Sequence, residues 1–155
     1  MPGDLEAAEA IRNLLYRYAE CIDAADFAGI GALFANGAII APGMREPARG
    51  ADAVQRLYES SNRVHADGTL RTLHVVANPI VEATSDSATC RSRYLVLQAT
   101  DALALQPIIA GRYFDRFARG ARGWEFALRR IEIDLVGNLA EHLRFDLSRA
   151  TGRKV

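Results

Sequence analysis

The sequence predicts an α+β domain in which helices pack against one face of a curved antiparallel sheet. Up to about residue 61, apolar residues recur every three or four positions, which is the spacing of amphipathic helices. From residue 71 onward they recur at every second position, which is typical of strands. Because the helices precede the strands rather than alternating with them, the pattern favours α+β over a parallel α/β sheet.

Two helices are expected at the start of the chain. The first spans roughly residues 5–22, and Tyr18 lies on its apolar stripe. Asp26 is placed to cap a shorter second helix. Asp23 stands at the end of the first helix, where a carboxylate opposes the negative end of the helix dipole. Since that position is unfavourable for helix stability, it favours another use of Asp23.

A short strand at residues 38–40 and a third helix at about 51–61 follow, with Tyr58 on the apolar face of that helix. Four longer strand-like segments come next, at about residues 71–82, 88–99, 107–118 and 124–136. Strands of this length bend, and Asn78-Pro79 is a candidate bulge because proline inside a strand is confined to edges and bulges.

One domain is expected for the whole chain, 1–155, with a core of about residues 5–136 and a C-terminal arm at 137–155. Leucines at four-residue spacing favour a short helix or a docking arm for this tail, and they are Leu139, Leu143 and Leu147.

The 19 basic and 19 acidic residues balance, so the composition indicates neither a nucleic-acid footprint nor a polybasic membrane face. The two cysteines have no CxxC or Cys/His metal spacing, and we expect no metal site and no cofactor. The N-terminus lacks the basic and apolar pattern of a leader, and no run of about 18 apolar residues occurs. We therefore expect a cytoplasmic protein.

The segment Arg71–Pro79 combines strand-like alternation with polar residues. Alternation places His74 and Asn78 on one face, and Leu73 and Val75 on the other. Both faces are expected to be buried, and a buried imidazole or amide needs hydrogen-bond partners. Either the core satisfies these groups, or a pocket uses them.

Short motifs distributed over residues 5–136 resemble those of one family. They are Tyr18-x4-Asp23 followed by Asp26-Phe27, His74-x3-Asn78-Pro79, Gly111-Arg112-Tyr113-Phe114-Asp115-Arg116-Phe117, Gly123-Trp124 and Arg129-Arg130. In this combination the chain resembles the SnoaL-like polyketide cyclase group of the nuclear-transport-factor-2-like superfamily. The resemblance implies a cone-shaped, cystatin-like fold in which a curved sheet and helices surround a deep apolar pocket.

Members of that superfamily include ketosteroid isomerase, scytalone dehydratase, bile-acid 7α-dehydratase and hexachlorocyclohexane dehydrochlorinase. In the lyases, an aspartate after the first helix pairs with a strand histidine that acts as general base, and the resemblance places Asp23 and His74 at those positions. It also matches Tyr18 and Tyr113 to pocket tyrosines. Val96 departs from the pattern, because the bile-acid dehydratase has an acidic residue there.

We interpret the chain as a cofactor-independent lyase or isomerase, of dehydratase, dehydrohalogenase or cyclase type, acting on a small hydrophobic cyclic substrate. His74 and Asp23 are the candidate catalytic residues, because an imidazole whose other nitrogen contacts a carboxylate is a suitable general base near neutral pH. The candidate substrate-binding residues are Tyr18, Tyr58, Asn78, Val96 and Tyr113.

Each of these residues also has a purely structural interpretation. His74 also fits a hydrogen-bonded core histidine, Asp23 a carboxylate that caps a loop or pairs with an arginine, and Asn78 a residue that satisfies the bulge. The alternative function is a non-catalytic ligand-binding protein or an accessory subunit. Such a subunit would resemble the small subunits of aromatic-ring-hydroxylating dioxygenases, which share the fold in mainly structural roles.

The last strand places Arg129 and Arg130 on opposite faces, so at most one of them reaches the pocket. Segments 95–97 and 107–110 are apolar on both faces, although helices are expected to cover only one face of the sheet. An exposed apolar patch of this kind usually marks an interface, and we expect a homodimer or homotrimer.

Overall fold

The computed structural model describes residues 2–151, with side-chain surroundings described for residues 5–149, so residues 152–155 of the predicted arm lie outside the described part. The elements in chain order are α1 (Pro2–Asp23), α2 (Phe27–Leu33), β1 (Ala38–Ile40), β2 (Ala48–Arg49), α3 (Gly50–Ser61), β3 (Thr72–Ala83), β4 (Ser87–Thr100), β5 (Leu103–Gly120), β6 (Gly123–Val136) and α4 (Leu147–Thr151). The predicted α+β class is confirmed. None of the helices within residues 2–151 is long and apolar enough to cross a membrane.

The six strands form one sheet in the order β2-β1-β6-β5-β4-β3. The long strands β3 to β6 pair antiparallel with their neighbours in the chain, as the alternating segments predict. The sheet as a whole is mixed, because β1 pairs parallel to β6 and brings Ile39 beside Arg129. These two strands are distant in the chain, so no hairpin determines their relative direction.

Bulges bend the long strands around the helices. The predicted bulge at Asn78-Pro79 is confirmed, since the β3–β4 register shifts between Ala77 and Ile80 and Asn78 has a left-handed φ of 52°. A second shift lies beside Gly111, where a Cβ atom would come within 2.0 Å of the carbonyl oxygen of Glu132. Glycine permits that close approach of two backbones.

The helices cover the inner face of the sheet and form the core with it. The apolar stripe of α1 is buried from Ile11 to Ile22, where Tyr18 is 2% exposed, whereas Leu5 near the start of the predicted helix is 74% exposed. Asp26 caps α2, because its carboxylate accepts a hydrogen bond from the main-chain N–H of Gly29 at 2.8 Å. Phe34, just after α2, stacks on Phe126 of β6 with ring centroids 4.5 Å apart, which joins the end of α2 to the sheet.

The expectation that β3 is buried on both faces is wrong, because β3 is an edge strand and only its inner face is covered. Leu73 and Val75 on its outer face are 55% and 38% exposed. Their cross-strand neighbours are also apolar, and together they form what we call the outer band. It consists of Leu73, Val75, Leu95, Leu97, Pro107, Ala110 and Leu135.

We propose that a second copy of the chain covers the outer band, since apolar patches that cross several strands are rarely left in water. A Val75→Glu variant places a charge inside the band and should convert the oligomer to monomer. Sedimentation velocity at micromolar concentration should give the wild type at least twice the 16.9 kDa mass of one chain.

Leu5→Glu is the matched control for this prediction. Leu5 is 74% exposed and lies on α1, away from the outer face of the sheet, so its replacement should leave the mass unchanged. A wild-type protein that sediments as a monomer would contradict the proposal.

Candidate active site

The carboxylate of Asp23 lies in direct contact with the imidazole of His74. Oδ1 of Asp23 is 2.6 Å from Nδ1 of His74. The main-chain N–H of His74 donates to Oδ2 at 2.9 Å, and the hydroxyl of Thr72 donates to Oδ1 at 2.8 Å. The end of α1 is thereby attached to the start of β3 by both side-chain and main-chain groups. The predicted pair is therefore brought together, and its catalytic role stays a prediction.

These contacts lower the pKa of Asp23 and orient the ring of His74. Burial alone would raise the pKa of Asp23, but the hydrogen bonds from His74 and Thr72 outweigh it, and the pKa of Asp23 is lower than the ordinary carboxyl value. A carboxylate at Nδ1 favours the tautomer that has its proton on that nitrogen. The lone pair of His74 then lies on Nε2, which is the arrangement of a general base.

The imidazole of His74 lines a cavity of about 190 Å³ between the helices and the sheet. An engineered cavity of about 150 Å³ accommodates benzene, so this one has room for a ligand of one or two rings. Most of the lining is apolar, and it includes residues of α1, α3 and the long strands. Among the predicted site residues, the lining contains Tyr18, Tyr58, His74, Val96 and Tyr113.

Asn78 does not reach this cavity. It is exposed at the bulge and lines a shallow groove on the outer face, beside Arg91, Arg93 and Phe114. Because the bulge adds one residue to β3 between Ala77 and Ile80, the alternation that begins at His74 is interrupted at Asn78. Asn78 was a candidate both for substrate binding and for satisfying the bulge. The structure places it at the bulge, away from the cavity.

A buried arginine lies beneath the tyrosines of the cavity. The guanidinium of Arg129 donates to both carboxylate oxygens of Asp115, with N···O distances of 2.9 Å and 2.8 Å, and both side chains are fully buried. Its central carbon is 4.2 Å from the ring centroid of Tyr18 and 3.8 Å from that of Tyr113. Arg130 points to the outer face, where it pairs with Glu132, so Arg129 is the arginine that faces inward.

The tyrosines remain neutral hydrogen-bonding groups. The hydroxyls of Tyr18 and Tyr58 are 2.5 Å apart, and Tyr113 stacks on Tyr94 with ring centroids separated by 4.5 Å. Burial raises the pKa of Tyr18, Tyr58 and Tyr113 above the ordinary value of 10.0. In the Tyr18–Tyr58 pair only one hydroxyl donates to the other, so the second retains a proton that it can donate to a ligand.

The C-terminal arm completes the wall of the cavity with His142, Leu143, Phe145 and Leu147. The arm docks on the α3–β3 connection, where the main-chain N–H of Arg63 donates to the carbonyl of His142 at 2.8 Å. The ring of His142 faces that of His74 at a centroid distance of 6.2 Å.

Sequence reasoning expected a docking arm but assigned His142 no role, because no motif surrounds it. The leucine spacing in the arm was the only signal, and it did not show where the arm docks. Among the described residues, no group of three or more His, Cys, Asp or Glu side chains is arranged to hold a metal ion.

Replacing Asp115 should test the buried ion pair. Asp115→Asn leaves the Arg129 charge buried without a counter-ion, and we expect a loss of about 3–5 kcal/mol in the free energy of unfolding by urea denaturation. Asp134→Asn is the control, because Asp134 pairs with Arg112 on the outer face and both side chains are partly exposed. The free energy of unfolding should fall much less in the control. Equal decreases in the two variants would contradict the assignment of Asp115 as the counter-ion of Arg129.

Stability should also depend on pH through Asp23. Since its pKa is lowered in the folded protein, its contacts stabilise the fold above the ordinary carboxyl pKa of 3.8, and this stabilisation is lost as the pH falls through the lower folded-state value. Urea denaturation should therefore show that the free energy of unfolding falls more between about pH 5 and about pH 3 for the wild type than for Asp23→Asn. Equal losses would show that the carboxylate is not held as described.

Comparisons with known proteins agree with this architecture. A family model described as a SnoaL-like domain matches residues 3–130. The search of curated proteins gave no match. Among solved structures, Rv3472 of Mycobacterium tuberculosis, a protein of unknown function, is 29% identical, with 81% of this chain and 75% of that chain covered and a TM-score of 0.69.

Two structures from Novosphingobium aromaticivorans share the fold at lower identity. An NTF2-like protein with a cystatin-like fold is 24% identical, with 83% of this chain and 82% of that chain covered and a TM-score of 0.71. A candidate scytalone dehydratase is 22% identical, with 87% of this chain and 89% of that chain covered and a TM-score of 0.69. Because the family model spans most of the chain, and the helices and curved sheet have the expected arrangement, this chain belongs to the SnoaL-like family.

Proposed function

We propose that this protein is a cofactor-independent lyase or isomerase that removes a proton from a small hydrophobic cyclic substrate. The observation that carries the proposal is the 2.6 Å contact between Asp23 and His74, made by an imidazole that lines an apolar cavity. The Thr72 hydroxyl and the main-chain N–H of His74 both donate to the Asp23 carboxylate and hold it against Nδ1 of the ring. The same arrangement orients Nε2 for proton transfer.

In the proposed reaction, Nε2 of His74 takes a proton from a ring carbon of the substrate. The electron pair of the broken C–H bond forms a double bond as hydroxide or halide leaves, or the proton returns to another carbon in an isomerisation. Asp23 stabilises the imidazolium that forms, since it already accepts the proton of Nδ1 in a hydrogen bond. In this reaction, His74 transfers the proton, and Asp23 orients the imidazole and stabilises its positive charge.

The tyrosine hydroxyls stabilise charge on the substrate. Tyr18 and Tyr58 line the cavity, and the one that does not donate within the pair is available to a carbonyl or a leaving group. The positive charge of Arg129 behind the rings of Tyr18 and Tyr113 favours negative charge developing on such an oxygen. The apolar lining strengthens both effects because it lowers the local dielectric.

The size of these effects limits the substrate class. A single general base contributes typically about 10²–10⁴-fold to the rate. The proposed site therefore suits a substrate that is already activated, such as a ring whose C–H bond lies next to a carbonyl. It does not suit removal of a proton from an unactivated hydrocarbon.

A non-catalytic binding role is the second candidate, and one observation favours it. Val96 lies directly opposite His74 in the β3–β4 register, so an aliphatic side chain occupies the position where a second acidic or basic group would assist the dyad. A pocket that only binds an apolar metabolite, or an accessory subunit, needs no such group. Activity measurements distinguish these two candidates.

The dyad should be tested in a panel of cyclic alcohols, ketones and halides, with product formation followed by mass spectrometry. His74→Ala should lower kcat/KM for any turned-over compound by at least about 10²-fold, because the base is lost. Asp23→Asn should lower it by at least about tenfold, because the imidazolium loses its counter-charge.

Asp134→Asn serves as the control for this series, since it removes an outer-face carboxylate and should leave the rate unchanged. Circular dichroism should verify that each variant is folded. Unchanged activity in both dyad variants would disprove the catalytic role, and a complete lack of turnover across the panel would favour the binding role.

A further inference from the structure

His142 lines the cavity near other polar residues, which include Ser61, Asn62 and the facing His74. It is contributed by the C-terminal arm, whereas Asp23 and His74 come from α1 and β3. Its neighbours on the arm that line the cavity are Leu143, Phe145 and Leu147, all apolar. A phenylalanine or leucine would fill the same position, so packing alone does not account for an imidazole there.

The imidazole of His142 lacks a hydrogen-bond partner. The residue is 5% exposed, and its Nδ1 atom is buried with no partner among the described residues. The nearby histidine differs in this respect, since Nε2 of His65 contacts the carbonyl of Glu141 at 2.9 Å. A buried polar group left unpaired costs roughly 1–3 kcal/mol, which a ligand can recover by pairing with it.

The backbone of the arm holds His142 firmly in this position. The main-chain N–H of His142 donates to the carbonyl of Leu139 at 3.0 Å, and its carbonyl accepts from Arg63 at 2.8 Å. Leu143 pairs with Asn62 in an isolated β-bridge, and Arg144 donates to the Asn62 carbonyl at 2.8 Å. A ring anchored in this way is preorganised for a ligand.

Burial, together with the nearby His74, lowers the pKa of His142 to about 4. The imidazole is therefore neutral near pH 7 and has one N–H donor and one acceptor nitrogen. The titratable groups that face it are His74, Asp23 and His65. A neutral donor suits a neutral oxygen on the ligand, such as a hydroxyl or a carbonyl.

The spacing of the two imidazoles sets where that oxygen lies. Their ring centroids are 6.2 Å apart. A hydroxyl between the rings accepts a hydrogen bond from His142 and donates one to Nε2 of His74. A carbonyl oxygen there is bound by His142 alone, because Nε2 of His74 has no proton to donate. An oxygen substituent between the rings places the adjacent ring carbons near Nε2 of His74.

We propose that His142 is a ligand-binding residue that donates a hydrogen bond to an oxygen substituent of the cyclic substrate, so that the cavity selects alcohols, phenols or ketones over halides and hydrocarbons. This inference rests on the proposed function in using the same cavity, and it narrows the substrate class of that function. Organic halogens are weak hydrogen-bond acceptors, so a halide gains little from the unpaired imidazole. The proposal requires no proton transfer by His142.

The test compares binding of phenol, chlorobenzene and benzene by isothermal titration calorimetry at pH 7. The wild type should bind phenol at least tenfold more tightly than chlorobenzene or benzene. His142→Phe should reduce that preference to less than threefold while it still binds chlorobenzene. His142→Gln, which restores an N–H donor, should recover part of the preference.

Leu143→Met is the matched control, because it changes the adjacent arm residue in the wall without altering a polar group. It should shift the three affinities equally. Equal affinity of the wild type for phenol and chlorobenzene would overturn the proposal, as would an unchanged preference in His142→Phe. If His142→Phe binds none of the three, His142→Gln decides, since retained preference supports the proposal and equal affinities overturn it.

The binding test is independent of turnover. Failure of the dyad variants to affect activity would reject the proposed function while leaving the phenol preference intact. Loss of the predicted preference would reject the role of His142 while leaving the dyad result unaffected.

Discussion

The buried guanidinium of Arg129 is the constraint on which the shape of the cavity depends. A fully buried positive charge is tolerated only with a counter-ion, which Asp115 provides. The rings of Tyr18 and Tyr113 cover the guanidinium, and its Nη1 atom has no hydrogen-bond partner among the described residues. These residues come from α1, β5 and β6, so the ion pair and the rings around it join the first helix to the sheet. Tyr58 of α3 joins the same group through its hydroxyl contact with Tyr18. The base of the cavity is therefore polar and rigid.

The other walls of the cavity are assembled around that base by different physical means. Asp23 and His74 are held by short hydrogen bonds between a helix end and an edge strand. The arm is held by main-chain hydrogen bonds to the α3–β3 connection and by side-chain hydrogen bonds from Arg63, Gln98 and Arg144, while Leu147 is buried. The cavity therefore places one anchored imidazole on the sheet and another on the arm.

The two faces of the curved sheet differ in what they contact. On the inner face, cross-strand neighbours of His74 such as Val96 and Ile109 line the cavity. On the outer face, the next residues along the same strands form the outer band and the surface ion pairs. Bulges at Asn78 and Gly111 bend the strands, and they also change which face the following residues occupy. This explains why Asn78 lies outside the cavity although simple alternation placed it beside His74.

The sequence by itself determined the local structure and the chemical character of the site. Periodicity predicted the helices and long strands, the Asn78-Pro79 bulge followed from proline's missing N–H, and the motif match identified Asp23 and His74 as partners. Contacts between distant segments were decided only by the tertiary structure: the parallel pairing of β1 with β6, the exposure of Leu73 and the arrival of His142 at the cavity. The physical reason is that side-chain periodicity indicates which face of an element is apolar. The docking of an arm or an edge strand depends largely on main-chain hydrogen bonds, which almost every residue type can make and which therefore leave no sequence signal.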